Sequence, residues 1–190
     1  MELTRKQEEG LKIVMDRYKQ KEAYTCIAGF AGTGKSTLVK FIIEELDVPN
    51  SKIAFCAYTG KAASVLAKKG NPGATTAHRL LYHTEELDDG TYIHTPRTSP
   101  EKDLKLIVVD EVSMLEKEQW EILMRWKIPV ICLGDPAQLP PIHEDNGVLD
   151  APHVFLDEVM RQAQDNEIIR LSMDVREGKY LTPRKGKDVW

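Results

Sequence analysis

Short apolar runs alternate with amphipathic stretches along the chain, and this alternation constrains the fold more than any other feature. The apolar runs are residues 24–28, 52–57, 104–109, 130–133 and 154–156. Each is almost continuously hydrophobic, which is typical of strands buried on both faces of a parallel sheet. The helical patterns between them are residues 6–19, 35–46, 61–68, 116–126 and 166–176. The sequence therefore predicts a doubly wound α/β domain, which binds ligands beyond the carboxyl ends of its strands.

Length and charge narrow the class of protein further. The 190 residues suffice for one domain with a small appendage at most. The net charge of −4 excludes a polybasic binder but leaves room for a local basic groove. No apolar run approaches the roughly 20 residues that a membrane span needs, and the N-terminus shows no secretory pattern. We therefore expect no membrane partner.

The cysteines indicate a reducing compartment. Cys26, Cys56 and Cys132 each lie in an apolar run, and their spacing does not match a metal site. An odd number of cysteines in predicted strands favours buried thiols over a disulfide framework.

A polar excursion interrupts the strand–helix alternation at residues 82–103. It contains two prolines, and Asp89-Gly90 is a hairpin turn signal. We predict a small β-hairpin that projects from the main domain.

The segment GFAGTGKS at residues 29–36 fits the phosphate-loop pattern G-x-x-x-x-G-K-[ST] between a predicted strand and a predicted helix. Its glycines allow backbone N–H groups to curl around a phosphate, and the helix N-terminus adds a positive dipole end. Lys35 is expected to reach the β- and γ-phosphates, and Ser36 to ligate Mg²⁺ with Thr37 nearby. The remaining expected nucleotide-binding positions are Gly29, Ala31, Gly32, Thr33 and Gly34.

Two further strand ends carry polar residues suited to nucleotide hydrolysis. Asp110 ends an apolar strand and can hold Mg²⁺ through its water shell, while Glu111 can orient or deprotonate the attacking water. After the next strand, Asp135 and Gln138 could face the γ-phosphate. An ordinary Gly-Asp-Pro turn with a solvated Gln138 explains that segment equally well.

Five motifs in order carry a resemblance to a known family: GFAGTGKST, AYTGKAA, TTAHRLL, VVDEVSML and CLGDPAQLPPI. They resemble the successive motifs of superfamily 1 DNA helicases of the RecD/Dda type. The resemblance implies a RecA-like motor domain over residues 1–181, with ATP and Mg²⁺ as cofactors. It also implies 5′→3′ translocation on single-stranded DNA in a bacterial or phage-infected cytoplasm. DNA replication, recombination and repair are the expected processes, and replication or recombination proteins are expected partners.

The resemblance also assigns individual residues. Gln7 matches an adenine-reading glutamine, although Thr4 through Gln7 also fits a helix capping box, and the two roles are compatible. Arg161 matches an arginine that approaches the γ-phosphate. Thr59, Lys61, Thr76 and His78 match positions that hold the DNA backbone. The candidate stacking residues are Tyr58, which replaces the family's usual proline, Tyr82 and Phe30.

The resemblance places a strand-separating pin at residues 82–103, where this chain carries an acidic tip. Residues 182–190 are expected to begin a linker or further domain of a longer protein. Members of the family have a second RecA-like domain, so we expect these residues alone to bind nucleotide but not to unwind DNA.

Three other functions are alternatives to a DNA helicase. A stand-alone nucleotide-dependent DNA-binding or regulatory module would use the same phosphate loop without unwinding. A viral-type RNA helicase domain is a nearer alternative, because backbone contacts distinguish RNA only through the 2′-hydroxyl. A nucleotide kinase is disfavoured because the sequence lacks an arginine-rich acceptor lid.

Overall fold

The architecture is a parallel sheet between two layers of helices, seen in a computed structural model that describes residues 2–71, 73–159, 166–176 and 178–179. The strands are β1 (Tyr24–Gly29), β2 (Ile53–Ala57), β3 (Thr75–Thr76), β4 (Tyr82–Glu86), β5 (Tyr92–Pro96), β6 (Leu106–Asp110), β7 (Val130–Gly134) and β8 (Val154–Leu156). The helices are α1 (Arg5–Lys19), α2 (Lys35–Leu46), α3 (Gly60–Lys68), α4 (Ala77–Leu81), α5 (Lys117–Arg125) and α6 (Glu167–Arg176).

Six strands form one sheet in the order β3-β2-β6-β7-β1-β8, and every neighbouring pair is parallel. The predicted α/β class is therefore confirmed. All five predicted strands and all five predicted helices are present, and no end differs from the prediction by more than two residues. The sequence prediction missed β3 and α4, which are too short to show a periodicity of their own.

Alternate residues of the central strands pack into two separate hydrophobic cores, one on each face of the sheet. On β6, Ile107 and Val109 pack with Trp120 and Leu123 of α5 on one face. Leu106 and Val108 point the other way, into the core that contains residues of α1 and α2. Burial on both faces explains why the strands read as continuous apolar runs.

Two predicted strand starts were wrong. A 3₁₀ turn over Asn50–Lys52 precedes β2, so this strand begins one residue later than expected. Leu104 is buried but lies outside β6, which begins at Leu106 and extends to Asp110. Hydrophobicity reports burial, and it does not distinguish a strand from the apolar residue that leads into it.

The excursion forms the predicted hairpin, in which β4 and β5 pair antiparallel. Gly90 has φ +79° in the connecting loop, a conformation that glycine adopts without strain. Nearly all of the hairpin is exposed, including Leu87, Tyr92 and Ile93.

The three cysteines are buried free thiols, as predicted. Burial raises the pKa of the Cys56 thiol to about 12, so this sulfur stays protonated and unreactive. Among the described residues, none of the helices is long and apolar enough to cross a membrane. Residues 182–190 lie outside the part of the chain that the structure describes.

Candidate nucleotide-binding and DNA-binding site

Three polar loops meet at one edge of the sheet. The phosphate loop follows β1, Asp110 ends β6, and the loop with Asp135 and Gln138 follows β7. Because β6, β7 and β1 are adjacent and parallel, their carboxyl ends lie side by side. The predicted nucleotide residues therefore converge from three separate parts of the sequence.

Two glycines shape the phosphate loop. Gly32 has φ +79° and Gly34 has φ +82°, in the left-handed region that side chains with a Cβ rarely adopt. Gly34 is the residue that caps the N-terminus of α2, so Lys35, Ser36 and Thr37 form the first turn of that helix. The loop thus delivers a helix N-terminus, with the positive end of its dipole, to the edge of the sheet.

Gly29 is required for a different reason, which is close packing. A Cβ at this position would lie 2.5 Å from the backbone oxygen of Leu156 and 2.9 Å from the Thr33 hydroxyl. Backbone cannot move aside as a flexible side chain can, so the start of the phosphate loop is fixed against β8. Ala31, in contrast, is exposed.

Lys35 folds back across its own loop. Its Nζ donates to the backbone oxygens of Gly29 at 2.6 Å and Phe30 at 3.0 Å. Its charge also lowers the pKa of Asp110, against a larger rise caused by burial of that carboxyl. The ammonium group therefore lies between the loop and the end of β6, where phosphate oxygens are expected.

Gln7 connects helix α1 to the phosphate loop. It is 1% exposed, and its Nε2 donates to the Thr33 backbone oxygen at 3.3 Å. Its Oε1 accepts from the Thr4 backbone N–H at 3.0 Å, which completes the predicted capping box. The structural role is confirmed, and adenine contact stays a prediction.

The two adjacent carboxylates occupy different environments. Asp110 accepts from the Glu111 backbone N–H at 3.0 Å, yet burial raises its pKa. Glu111 has φ +57° and ψ +45°, an unusual conformation for a residue with a side chain. Burial, and then the charge of Asp110, raises the Glu111 pKa. A carboxylate with a raised pKa is a better proton acceptor, as a general base requires.

The donor set fits Mg²⁺ better than a transition metal. Among the described residues, no three His, Cys, Asp or Glu side chains cluster in a way that could hold a metal. The site offers the Ser36 hydroxyl and the Asp110 carboxylate instead. Mg²⁺ typically uses one or two such oxygens, several waters and phosphate oxygens of the nucleotide.

The predicted DNA-contact residues come together at the other end of the same edge. Thr76 of β3 pairs with Ala57 at the end of β2, next to the loop that contains Thr59. Both threonines cap helices: the Thr59 Oγ1 accepts from Ala62 N–H at 3.1 Å, and the Thr76 Oγ1 from Arg79 N–H at 3.2 Å. Sequence reasoning missed these caps. Lys61 is exposed on the first turn of α3.

His78 lies in a cluster of rings at the base of the hairpin. It stacks on Tyr82 with centroids 4.7 Å apart and meets His94 edge-on at 4.5 Å. Burial, and then the nearby His94, lowers the pKa of His78, so its ring is neutral at neutral pH. One face of Tyr82 is therefore already covered by His78, which leaves less of that ring for a nucleobase.

The two other candidate stacking residues lie elsewhere. Phe30 belongs to the phosphate loop, and its ring meets Phe155 edge-on at 5.6 Å. Tyr58 packs against the core. Arg161 lies outside the described residues.

Residues that the sequence prediction overlooked hold the loops in place. Ser113 donates to Gln138, and Asn146 donates to the backbone oxygens of Val112 and Leu115. His153 accepts from a backbone N–H of β1. Lone polar residues in irregular segments give no periodic signal, so only the structure reveals these contacts.

Comparisons with known proteins agree with this geometry. The chain is 30% identical over 191 residues to the ATP-dependent DNA helicase Dda of Enterobacteria phage T4, covering 94% of this chain and 44% of that protein. It is 32% identical over 166 residues to the ATP-dependent RecD2 DNA helicase of Deinococcus radiodurans, covering 80% and 22%. The crystal structure of Bacteroides Pif1 bound to single-stranded DNA matches with a TM-score of 0.60, 21% identity and coverage of 95% and 47%.

The chain thus spans less than half of each of these proteins, and the likeness to Pif1 concerns the fold. The RecD/Dda resemblance drawn from the motifs is confirmed by the two helicase relatives. A model of the AAA domain family matches residues 2–185, nearly the whole sequence. The chain therefore belongs to the AAA domain family, and its candidate nucleotide site lies at the carboxyl ends of β1, β6 and β7.

Proposed function

We propose that this chain is the first motor domain of an ATP-dependent DNA helicase that moves 5′→3′ on single-stranded DNA. The observation that carries the proposal is the convergence of Lys35, Asp110 and Gln138 from three adjacent strand ends. The same sheet edge brings Thr59 and Thr76 together beside the nucleotide site. One lobe thus presents both a nucleotide site and a DNA-facing surface.

At the nucleotide site, each residue has a distinct task. Lys35 and the N–H groups at the start of α2 bind the β- and γ-phosphates, and Gln7 reads adenine beside the loop. Ser36 and Asp110 would hold Mg²⁺, which neutralises phosphate charge when bound. Glu111 accepts a proton from the attacking water, and Arg161 contributes positive charge at the γ-phosphate.

At the DNA-facing surface, the contacts suit the sugar-phosphate backbone. Thr59 and Thr76 offer hydroxyls, Lys61 a positive charge and His78 a neutral ring nitrogen. Such groups hold a strand without reading its sequence. The hairpin within residues 82–103 would act as the pin. The choice of DNA rests on the helicase relatives, and the 5′→3′ direction rests on the motif resemblance to helicases of the RecD/Dda type.

Complete turnover requires a second RecA-like domain that closes over the nucleotide. The residues proposed to bind the nucleotide all lie at one edge of the described sheet. We therefore expect these 190 residues to bind Mg-nucleotide, hydrolyse it slowly and not separate strands.

ATP turnover with and without oligo-dT tests the nucleotide half of the proposal. We expect nucleotide binding with turnover near background in both conditions. Lys35→Ala should weaken nucleotide binding at least about tenfold, while Lys40→Ala on the exposed face of the same helix should leave it unchanged. Strong DNA-dependent turnover that Lys35→Ala removes would favour the stand-alone module. Absence of nucleotide binding would contradict the proposal outright.

Oligo-dT affinity as a function of salt concentration tests the DNA half. If Lys61 contacts a phosphate, Lys61→Ala should reduce the salt slope by about 0.7, the contribution of one phosphate contact on a single strand. Lys68→Ala, at the other end of α3, is the matched control and should leave the slope unchanged. Equal slopes for both variants would contradict the proposed DNA surface. An oligo-U affinity above that of oligo-dT would favour the RNA helicase alternative.

A further inference from the structure

Ser113 makes a contact that links two of the loops at the nucleotide site. It lies in the 3₁₀ turn Val112–Met114, directly after Glu111. Its hydroxyl donates to the Oε1 atom of Gln138 at 3.2 Å, across 25 positions of sequence. Ser113 is 7% exposed, whereas Gln138 lies on an exposed loop. A buried hydroxyl therefore holds the end of a side chain that lies on an exposed loop.

The chemistry of a primary amide gives this contact a direction. The carbonyl oxygen of a glutamine only accepts hydrogen bonds, and its NH₂ group only donates them. When the Ser113 hydroxyl donates to Oε1, the NH₂ group is the end left for another partner. Phosphate oxygens are acceptors, so Gln138 can bind a phosphate through its NH₂ group alone. In the observed arrangement the Ser113 contact therefore leaves the NH₂ group of Gln138 for a phosphate.

The turn that carries Ser113 is itself well anchored. Its neighbours Val112 and Leu115 are fully buried in the core. Asn146 donates to the backbone oxygen of Val112 at 3.0 Å and also to that of Leu115. The Oδ1 atom of Asn146 accepts from the Val148 N–H at 2.9 Å, which fixes the orientation of the Asn146 side chain. Ser113 therefore offers a well-anchored hydrogen-bond donor to the loop after β7.

We propose that Ser113 is a positioning residue that orients Gln138 toward the terminal phosphate of a nucleoside triphosphate. This inference rests on the proposed nucleotide site and adds a residue that acts through Gln138 without touching the nucleotide. Ser113 should therefore affect the binding of a nucleoside triphosphate and leave the binding of a diphosphate unchanged. A residue that only stabilised the fold would affect both nucleotides alike.

The test measures the affinities of a non-hydrolysable ATP analogue and of ADP, both with Mg²⁺. Ser113→Ala should weaken the analogue about three- to tenfold, the range for loss of one hydrogen bond, and leave ADP unchanged. Ser113→Thr keeps the hydroxyl and should bind the analogue more tightly than Ser113→Ala. Ser51→Ala removes an exposed serine far from the site in sequence and is the matched control, with both affinities unchanged.

Two variants of Gln138 distinguish the effect of its amide group from the effect of Ser113. They remain informative if Ser113→Ala folds poorly. Gln138→Glu retains an acceptor for Ser113 but has no N–H, so it should lose at least as much analogue affinity as Gln138→Ala. Ser113→Ala combined with Gln138→Ala should bind the analogue no more weakly than Gln138→Ala alone, because both changes remove the same interaction.

The possible failures are distinguishable. Equal loss of analogue and ADP affinity in Ser113→Ala, or additive losses in the double variant, would overturn the positioning role. The same holds if Ser113→Ala binds the analogue like the unaltered chain while Lys35→Ala does not. If the unaltered chain binds neither nucleotide, the proposed function fails and the role of Ser113 fails with it.

Discussion

The phosphate loop and the β4–β5 hairpin show opposite ways of building a functional segment. The phosphate loop joins a strand that is buried from Thr25 to Gly29 to a helix whose inner residues, such as Leu38 and Ile42, are 0% exposed. The hairpin has two strands, no partner in the main sheet, and exposed residues almost throughout. Nucleotide chemistry requires atoms fixed to fractions of an ångström, and buried neighbours supply that precision. A segment proposed to contact single-stranded DNA does not require the same fixation.

A matched pair of isoleucines gives the largest expected difference in stability between the phosphate-loop region and the hairpin. Ile42 lies in the core beneath the phosphate loop, and Ile93 is 45% exposed on the hairpin. Ile42→Ala should lower the free energy of unfolding by about 2–5 kcal/mol, because it leaves a cavity. Ile93→Ala should change it by no more than about 0.5 kcal/mol. Chemical denaturation measures both, and equal losses would show that the hairpin is part of the folded core.

A pair of glycines tests the fixation of the phosphate loop itself. Gly29→Ala should lower the free energy of unfolding by about 1–3 kcal/mol, since its methyl group would overlap the Leu156 backbone. At Gly60 an added Cβ meets no atom within 4 Å. Gly60→Ala should raise the stability by about 0.4–1 kcal/mol by restricting the unfolded chain. A Gly29→Ala variant as stable as the unaltered chain would mean that β8 does not constrain the loop.

Acid should destabilise the sheet near His153, the residue directly before β8. The Nδ1 atom of this residue accepts from the Cys26 N–H at 2.9 Å, which requires the neutral ring. Burial, and then the charge of Arg17, lowers the His153 pKa below its ordinary value of 6.5. The unfolded chain therefore binds a proton more readily than the folded one. The stabilisation is present above the ordinary value and is lost as pH falls through it.

Melting temperature between about pH 7.5 and about pH 5.5 measures this effect. We expect His153→Asn, whose Oδ1 can replace Nδ1 as an acceptor, to show a smaller acid-induced decrease than the unaltered chain. His143, whose side chain is 75% exposed, provides the control: His143→Asn should leave the decrease unchanged. Identical pH profiles for His153→Asn and the unaltered chain would show that the ring does not titrate on unfolding.

The smallest expected effect comes from shortening the hairpin. Replacing residues 85–93 by Asn-Gly joins Thr84 and His94 through a two-residue turn and preserves the contact of His94 with His78. Affinity for an ATP analogue should change by less than about twofold, as is typical of surface changes. A tenfold loss would mean that the two segments are coupled, contrary to the comparison.

The sequence was most informative where burial and chemistry act together. The continuous apolar runs revealed the parallel strands, and the glycines of residues 29–36 revealed the loop, because each pattern has a direct physical cause. Asp110 and Glu111 could be placed for the same reason, at the end of an apolar run.

It was least informative where a single hydrogen bond decides a position. The hydrogen bond from Ser113 to Gln138 joins residues 25 positions apart, and no sequence pattern in either segment predicts it. The cap at Thr76 depends on α4, a five-residue helix too short to predict, and the cap at Thr59 depends on α3 beginning one residue earlier than expected. The stacking of His78 on Tyr82 depends on how the hairpin leaves α4. Such contacts follow from the tertiary fold and not from local pattern.

Titration of a fluorescent ATP analogue with Mg²⁺ into the unaltered chain, Lys35→Ala and Lys40→Ala tests the central claim most directly. If the edge formed by β1, β6 and β7 is a nucleotide site, the unaltered chain and Lys40→Ala should bind the analogue with equal affinity. Lys35→Ala should bind at least about tenfold more weakly, because it loses hydrogen bonds to charged phosphate oxygens. Equal affinities for all three proteins would contradict the account.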